Sequence, residues 1–180
     1  MGAERPTSSL QQFVSGLAEY VFESELGVAD PPLVDYVSDL VCRFIRWDAL
    51  FKIRDRDGRR LHEVADMVAE ADQRIGDARR AAHRHIGDFT LFWVGVYPEA
   101  LRKLRGRARK DYFVDYCAQG KRAYFLASTI EPDSDQEPPA DVLQRLSVEF
   151  ELCASGLTQV RLQWESDAET GDVPPPILIN

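Results

Sequence analysis

The chain has 180 residues, of which 44% are hydrophobic and 29% charged, enough apolar material for one buried core and too much for wholesale disorder. Thirty acidic residues against 22 basic ones leave a net charge of −8, a balance that argues against a general nucleic-acid binder. Three cysteines and three histidines are too few for a disulfide scaffold or a cysteine-rich zinc module.

In chain order, the opening MGAERPTSSLQQ has no basic start followed by an apolar run, so no secretory signal is expected. Pro6 stands where myristoylation requires Ser or Thr. With three thiols and no export signal, the expected location is the reducing cytoplasm. Leu10, Phe13, Leu17 and Tyr20 then predict a short amphipathic helix that ends near Gly27, a residue able to take the left-handed terminating conformation. A second helix follows, with Asp30 as N-cap and Pro31 in the first turn. Leu33, Val37, Leu40, Phe44, Trp47 and Phe51 form its stripe. Val34, Val41 and Ile45 widen that stripe beyond what one bundle requires.

The cluster RDRDG (54–58) reads as a turn. Aligning Gly58 with the glycine of a calcium loop puts Ile53 and Val64 at ligand positions, which excludes that motif. From Leu61 through Val68, Ile75, Ala82, His85, Phe89 and Val96, three-four spacing predicts one long helix over 61–97. Its length requires it to project or to bend near Gly76 or Gly87 before Pro98 ends it. Small residues between 69 and 82 (Ala71, Ala78, Ala81, Ala82 and Gly76) mark a seam that is either closely packed or the wall of a cavity. The densest apolar run, 86–97, is 12 residues long, too short to span a bilayer.

A basic helix is expected over 99–109. Another runs from Asp111 to about Ser128, with Phe113, Tyr116 or Cys117, Gly120, Tyr124 and Ala127 inward. After a loop at 131–140, the last helix carries Leu143, Leu146, Phe150, Cys153, Leu157, Val160 and Trp164. No segment alternates with period two. The fold class is therefore all-α, a single bundle of five to six helices over 1–165, followed by an acidic, proline-rich tail over 166–180.

Charge is segregated. Residues 1–40 carry a net −6, 41–130 a net +7 and 131–180 a net −9. Arg102, Lys103, Arg105, Arg107, Arg109 and Lys110 concentrate the positive part into one patch able to meet phosphate, RNA, a lipid head or an acidic partner. Segment 102–110 contains no aromatic residue for base stacking, and the acidic C-terminal segment is the expected neutraliser.

The histidines offer little for a metal. His83 and His85 are two apart on one helix and so point in opposed directions, His85 inward and His83 outward. His85 is expected to bond a carboxylate or a tyrosine hydroxyl in the core. His85, Asp88, Tyr116, Gly120, Lys121 and Tyr124 are the polar or bare positions within apolar faces, and together they compose a candidate ligand site between the third and fifth helices. Within it, Tyr116 and Tyr124 flank a cleft floored by Gly120, with Lys121 at the rim. There is no Gly-x-Ser-x-Gly, Cys42, Cys117 and Cys153 lie in apolar settings, and no cofactor or metal is implied. Trp47, Trp93 and Trp164 read as core anchors. The first functional reading is a non-enzymatic interaction or adaptor bundle whose partner is another protein or, in a homodimer, a second copy of itself. The alternatives are a small-ligand or metal-binding bundle, and anion or RNA association through 102–110.

Overall fold

A computed structural model describes residues 9–45, 47–133 and 138–171. The described residues contain no β-strand, only an isolated bridge between Arg54 and Arg60, and the class is all-α. The bundle is divided more finely than five or six helices: α1 (Ser9–Glu19), α2 (Pro31–Phe44), α3 (Trp47–Leu50), α4 (Val64–Asp72), α5 (Gly76–Gly95), α6 (Leu101–Leu104), α7 (Tyr116–Thr129), α8 (Ala140–Val148) and α9 (Phe150–Glu169). No helix among the described residues is long and apolar enough to cross a membrane.

Helix α5 is the central post, packed by α7, α9, α4 and α2. Its second half, IGDFTLFWVG, is apolar around most of its circumference, Asp88 and Thr90 apart, and a helix of that kind must be covered on every side. Phe89, Phe92 and Trp93 are buried there in edge-on contact, with ring centroids 6.2 Å (Phe89–Trp93) and 5.5 Å (Phe92–Trp93) apart. Cys153, Leu157, Val160 and Trp164 of α9 complete the core opposite. The side chain of Trp47 lies outside the described residues.

Local signals act where they were expected. Asp30 Oδ1 accepts the Leu33 N–H at 3.2 Å and so caps α2. Helix α1 widens into a π-helical stretch at Tyr20–Glu25, and the chain then turns at Gly27 with φ of 67°.

Five expectations about helix extent are corrected. Helix α2 ends at Phe44 and does not reach Phe51. The backbone beyond it finds partners elsewhere: the Leu50 carbonyl bonds the His85 ring, and the Ile53 carbonyl accepts from Leu61 N–H at 2.9 Å. The helix predicted over 61–97 is two helices. Gln73 and Arg74 N–H close back onto Glu70 and Ala71, Ile75 turns out to solvent at 85% exposure, and α5 restarts at Gly76 with φ of 54°. Gly87 lies within unbroken helix. The basic helix expected over 99–109 stops at Leu104, and the segment expected from Asp111 opens with a 3-10 turn at Lys110–Phe113 and becomes α-helical only at Tyr116, where Asp115 caps it through Ala118 N–H. Phe113, expected inward, is 90% exposed. The final stripe is buried as read, yet Glu149 breaks it into α8 and α9. Regular three-four spacing continues across a change of axis, so periodicity alone does not reveal the break. Helix α9 runs on to Glu169, and of the tail expected over 166–180, residues 172–180 lie outside the described residues.

Candidate functional site

Asp88 is the polar centre of the bundle. It sits mid-helix on α5 with only 1% of its surface exposed, a placement that a carboxylate sustains only if donors surround it. Four side chains do so from three helices. Tyr36 on α2 and Tyr124 on α7 both donate to Asp88 Oδ1, at 2.5 and 2.7 Å. Arg43, two turns after Tyr36 on the same face of α2, places Nη1 and Nη2 each 3.2 Å from Oδ2. Arg84, one turn before Asp88, has Nε 3.0 Å from the Tyr36 hydroxyl and 3.9 Å from Oδ2. Asp39 holds Arg43 Nε at 2.7 Å from the other side.

The environment sets the protonation states. Burial, then the Asp88 charge, pushes both tyrosine hydroxyls well above their ordinary range, so they stay protonated as donors. The Arg43 guanidinium is raised despite its desolvation, chiefly by Asp88. His85 is 6% exposed, and burial takes it down to about 4, leaving a neutral ring whose Nε2 bonds the Leu50 carbonyl at 2.9 Å. Its partner is thus a main-chain carbonyl and not the expected carboxylate or hydroxyl. His83, expected outward, is 2% exposed, and its Nε2 has no hydrogen-bond partner.

This cluster forms the floor of a cleft of about 420 Å³ between α2, α3 and α5. Arg43 and Arg84 line it and keep 32% and 28% of their side-chain surface exposed, and Lys52 stands exposed at its margin. Phe44, Ala49 and Ala81 supply an apolar wall. Within the small-residue seam, then, Ala81 faces the cleft, Ala71 and Ala82 are closely packed, and Ala78 is exposed.

The six residues of the candidate ligand site do not converge. Asp88 and Tyr124 bond each other, and His85 adjoins them. Tyr116 belongs to a second centre, where its hydroxyl donates to Asp111 at 2.6 Å. Asp111 is fully buried and accepts the Val64 and Ala65 N–H groups, both at 2.8 Å, at the start of α4. Gly120 floors no cleft: a Cβ there would run into Thr90 and the Phe150 ring, which fill the space. Lys121 is spent on Glu151 at 2.8 Å. Spacing did not single out Tyr36, Arg43, Lys52, Arg84 or Asp111. A signal existed for Arg84, four residues before Asp88, whereas Asp111 bonds residues 46 and 47 positions away.

The basic segment is an elbow of short pieces. Arg102 and Lys103 lie on α6, while Arg105 and Arg107 follow in turns. Arg109 approaches Glu63 at 3.8 Å and Lys110 bonds Asp66 at 2.7 Å, so only the far end of the segment is neutralised, from around the start of α4.

Among the described residues no group of three or more His, Cys, Asp or Glu side chains is placed to hold a metal ion. Burial raises the thiols of Cys42 to about 11 and Cys153 to about 12, which weakens both as nucleophiles. No family model, no curated protein and no solved structure matches the chain.

Proposed function

We propose that this chain is a binding module whose ligand is a small anion, a carboxylate or phosphate seated in the Asp88 cleft. The observation that carries the reading is the pair Arg43 and Arg84, anchored by a buried carboxylate and its tyrosine partners while both side chains line the opening. Cations fixed in this way lose little freedom on binding, and a planar fork suits a two-oxygen anion. Lys52 adds a third positive charge at the margin, and Phe44 gives the ligand's carbon frame an apolar face. Binding fits the site better than bond-making does: the tyrosine protons are held firmly and the His85 ring is engaged by Leu50. Three unpaired cysteines suit the cytoplasm as its location. An adaptor role draws no support from the wide α2 seam, because Val34 and Val41 are buried inside the chain's own core.

The test is thermal unfolding with millimolar inorganic phosphate and, separately, malonate. At least one should raise the melting temperature through linkage. Lys52→Ala, which changes an exposed side chain, should leave the unliganded melting temperature unaltered and diminish the shift. No shift with either anion, or an undiminished shift in Lys52→Ala, overturns the reading.

A further inference from the structure

The elbow between α5 and α7 is a separate surface, and its charge is unspent. Arg102, Lys103, Arg105 and Arg107 make no ion pair among the described residues, in contrast to Arg109 and Lys110. Arg102, Arg105 and Arg107 line a hollow of about 410 Å³, closed on one side by Tyr112. Arg105 Nε is buried there without a hydrogen-bond partner, an unmet donor of the kind that a folded chain rarely leaves inside. The aromatic side chains that segment 102–110 lacks arrive from just beyond it. Tyr112 is 38% and Phe113 90% exposed, their rings packed edge to face at 4.7 Å. An outward phenylalanine beside unpaired arginines has no role in the core, where Asp111 between these segments already does the anchoring.

We propose that this elbow binds single-stranded nucleic acid, with Arg102, Arg105 and Arg107 on successive phosphates and Tyr112 and Phe113 as stacking faces for bases. The combination of an arginine-lined hollow and neighbouring aromatic faces is what unpaired strands require. A duplex is disfavoured because α6 has four residues and offers no element for a groove. An anionic membrane is disfavoured because Leu101 and Leu104 pack against the core, leaving no apolar stripe for the lipid interface. The net −8 of the whole chain confines the contact to this patch and makes it weak and salt-dependent.

The experiment is fluorescence anisotropy of a labelled 12-nucleotide oligo-dT or oligo-U titrated with the full chain. Three phosphate contacts give a log–log salt slope of about −2, which is roughly a twentyfold loss of affinity between 50 and 200 mM salt. R102E/R107E, both exposed positions, should abolish binding, and Y112A/F113A should weaken it about tenfold or more, with helical circular dichroism unchanged in each. No binding at 50 mM salt overturns the proposal. So does binding indifferent to either double variant, or binding to phosphatidylserine vesicles without binding to the oligonucleotides. Because R102E/R107E leaves the Asp88 cleft intact, it should preserve the melting shift with phosphate or malonate, so failure here and failure of the cleft reading are distinguishable.

Discussion

Two carboxylates are buried among the described residues, and they are put to different uses. Asp111 takes two main-chain N–H groups and one tyrosine hydroxyl, so each of its partners is short, fixed and interior. Asp88 also takes tyrosine hydroxyls, but its remaining donors are arginines whose far ends reach a cleft. The first arrangement ties the start of α4 to the start of α7 and has nothing left over. The second converts a buried negative charge into fixed positive charge at an opening. A buried ion is thus informative about function only when its counter-charges reach solvent.

Three measurements probe that contrast, and the largest effect is expected at Asp88. Asp88→Ala strands two guanidinium groups and two hydroxyls, and breaking such a cluster costs about 3–5 kcal/mol in urea unfolding. A loss under about 1 kcal/mol would show that the arginines relax into water and that the cleft is not preorganised. The next effect is one of pH. The folded His85 titrates near 4, below its unfolded value of about 6.5, so on acidification the unfolded chain takes the proton first. Stability conferred by this residue is therefore present above pH 6.5 and is lost between about 6.5 and 4, by roughly 3 kcal/mol. His83 is shifted in the same direction by its burial and adds to that slope. His85→Gln should flatten the profile, and an unchanged profile would contradict a neutral, enclosed ring. The smallest effect is expected for Asp111→Ala, about 2–3 kcal/mol from a lost helix cap and an unsatisfied Tyr116 hydroxyl. Any anion-induced rise in melting temperature should survive Asp111→Ala and change in Asp88→Ala. An equal response in both would erase the distinction between the two carboxylates.

Helix identity was largely legible in the sequence because apolar stripes dictate burial: the stripes of α2, α5 and α9 are buried nearly as their spacing requires. Helix ends were legible only where a local device marks them, as at Asp30 and Gly27. The break at Glu149 was not, because the spacing continues through it, and the one at 73–75 was foreshadowed only as a bend near Gly76, by the length of the predicted helix and not by its spacing. At the candidate site Asp88, His85 and Tyr124 stood out as polar groups on greasy faces. Tyr36 and Arg43 did not, since on α2 they look like ordinary members of an amphipathic pattern and become partners of Asp88 only when α2 is laid against α5. Phe113 misled for a related reason: an aromatic in register with a stripe reads as core, although the helix to which that register belongs begins three residues later.

Gly87 carries a final consequence. A Cβ on it would lie 2.7 Å from the Tyr124 ring, so that ring rests directly against the α5 backbone. The bond from its hydroxyl to Asp88 is therefore calibrated by the clearance between two helices. A single methyl group at position 87 would act as a shim, lifting α7 away and detuning the polar centre without altering any atom that carries charge.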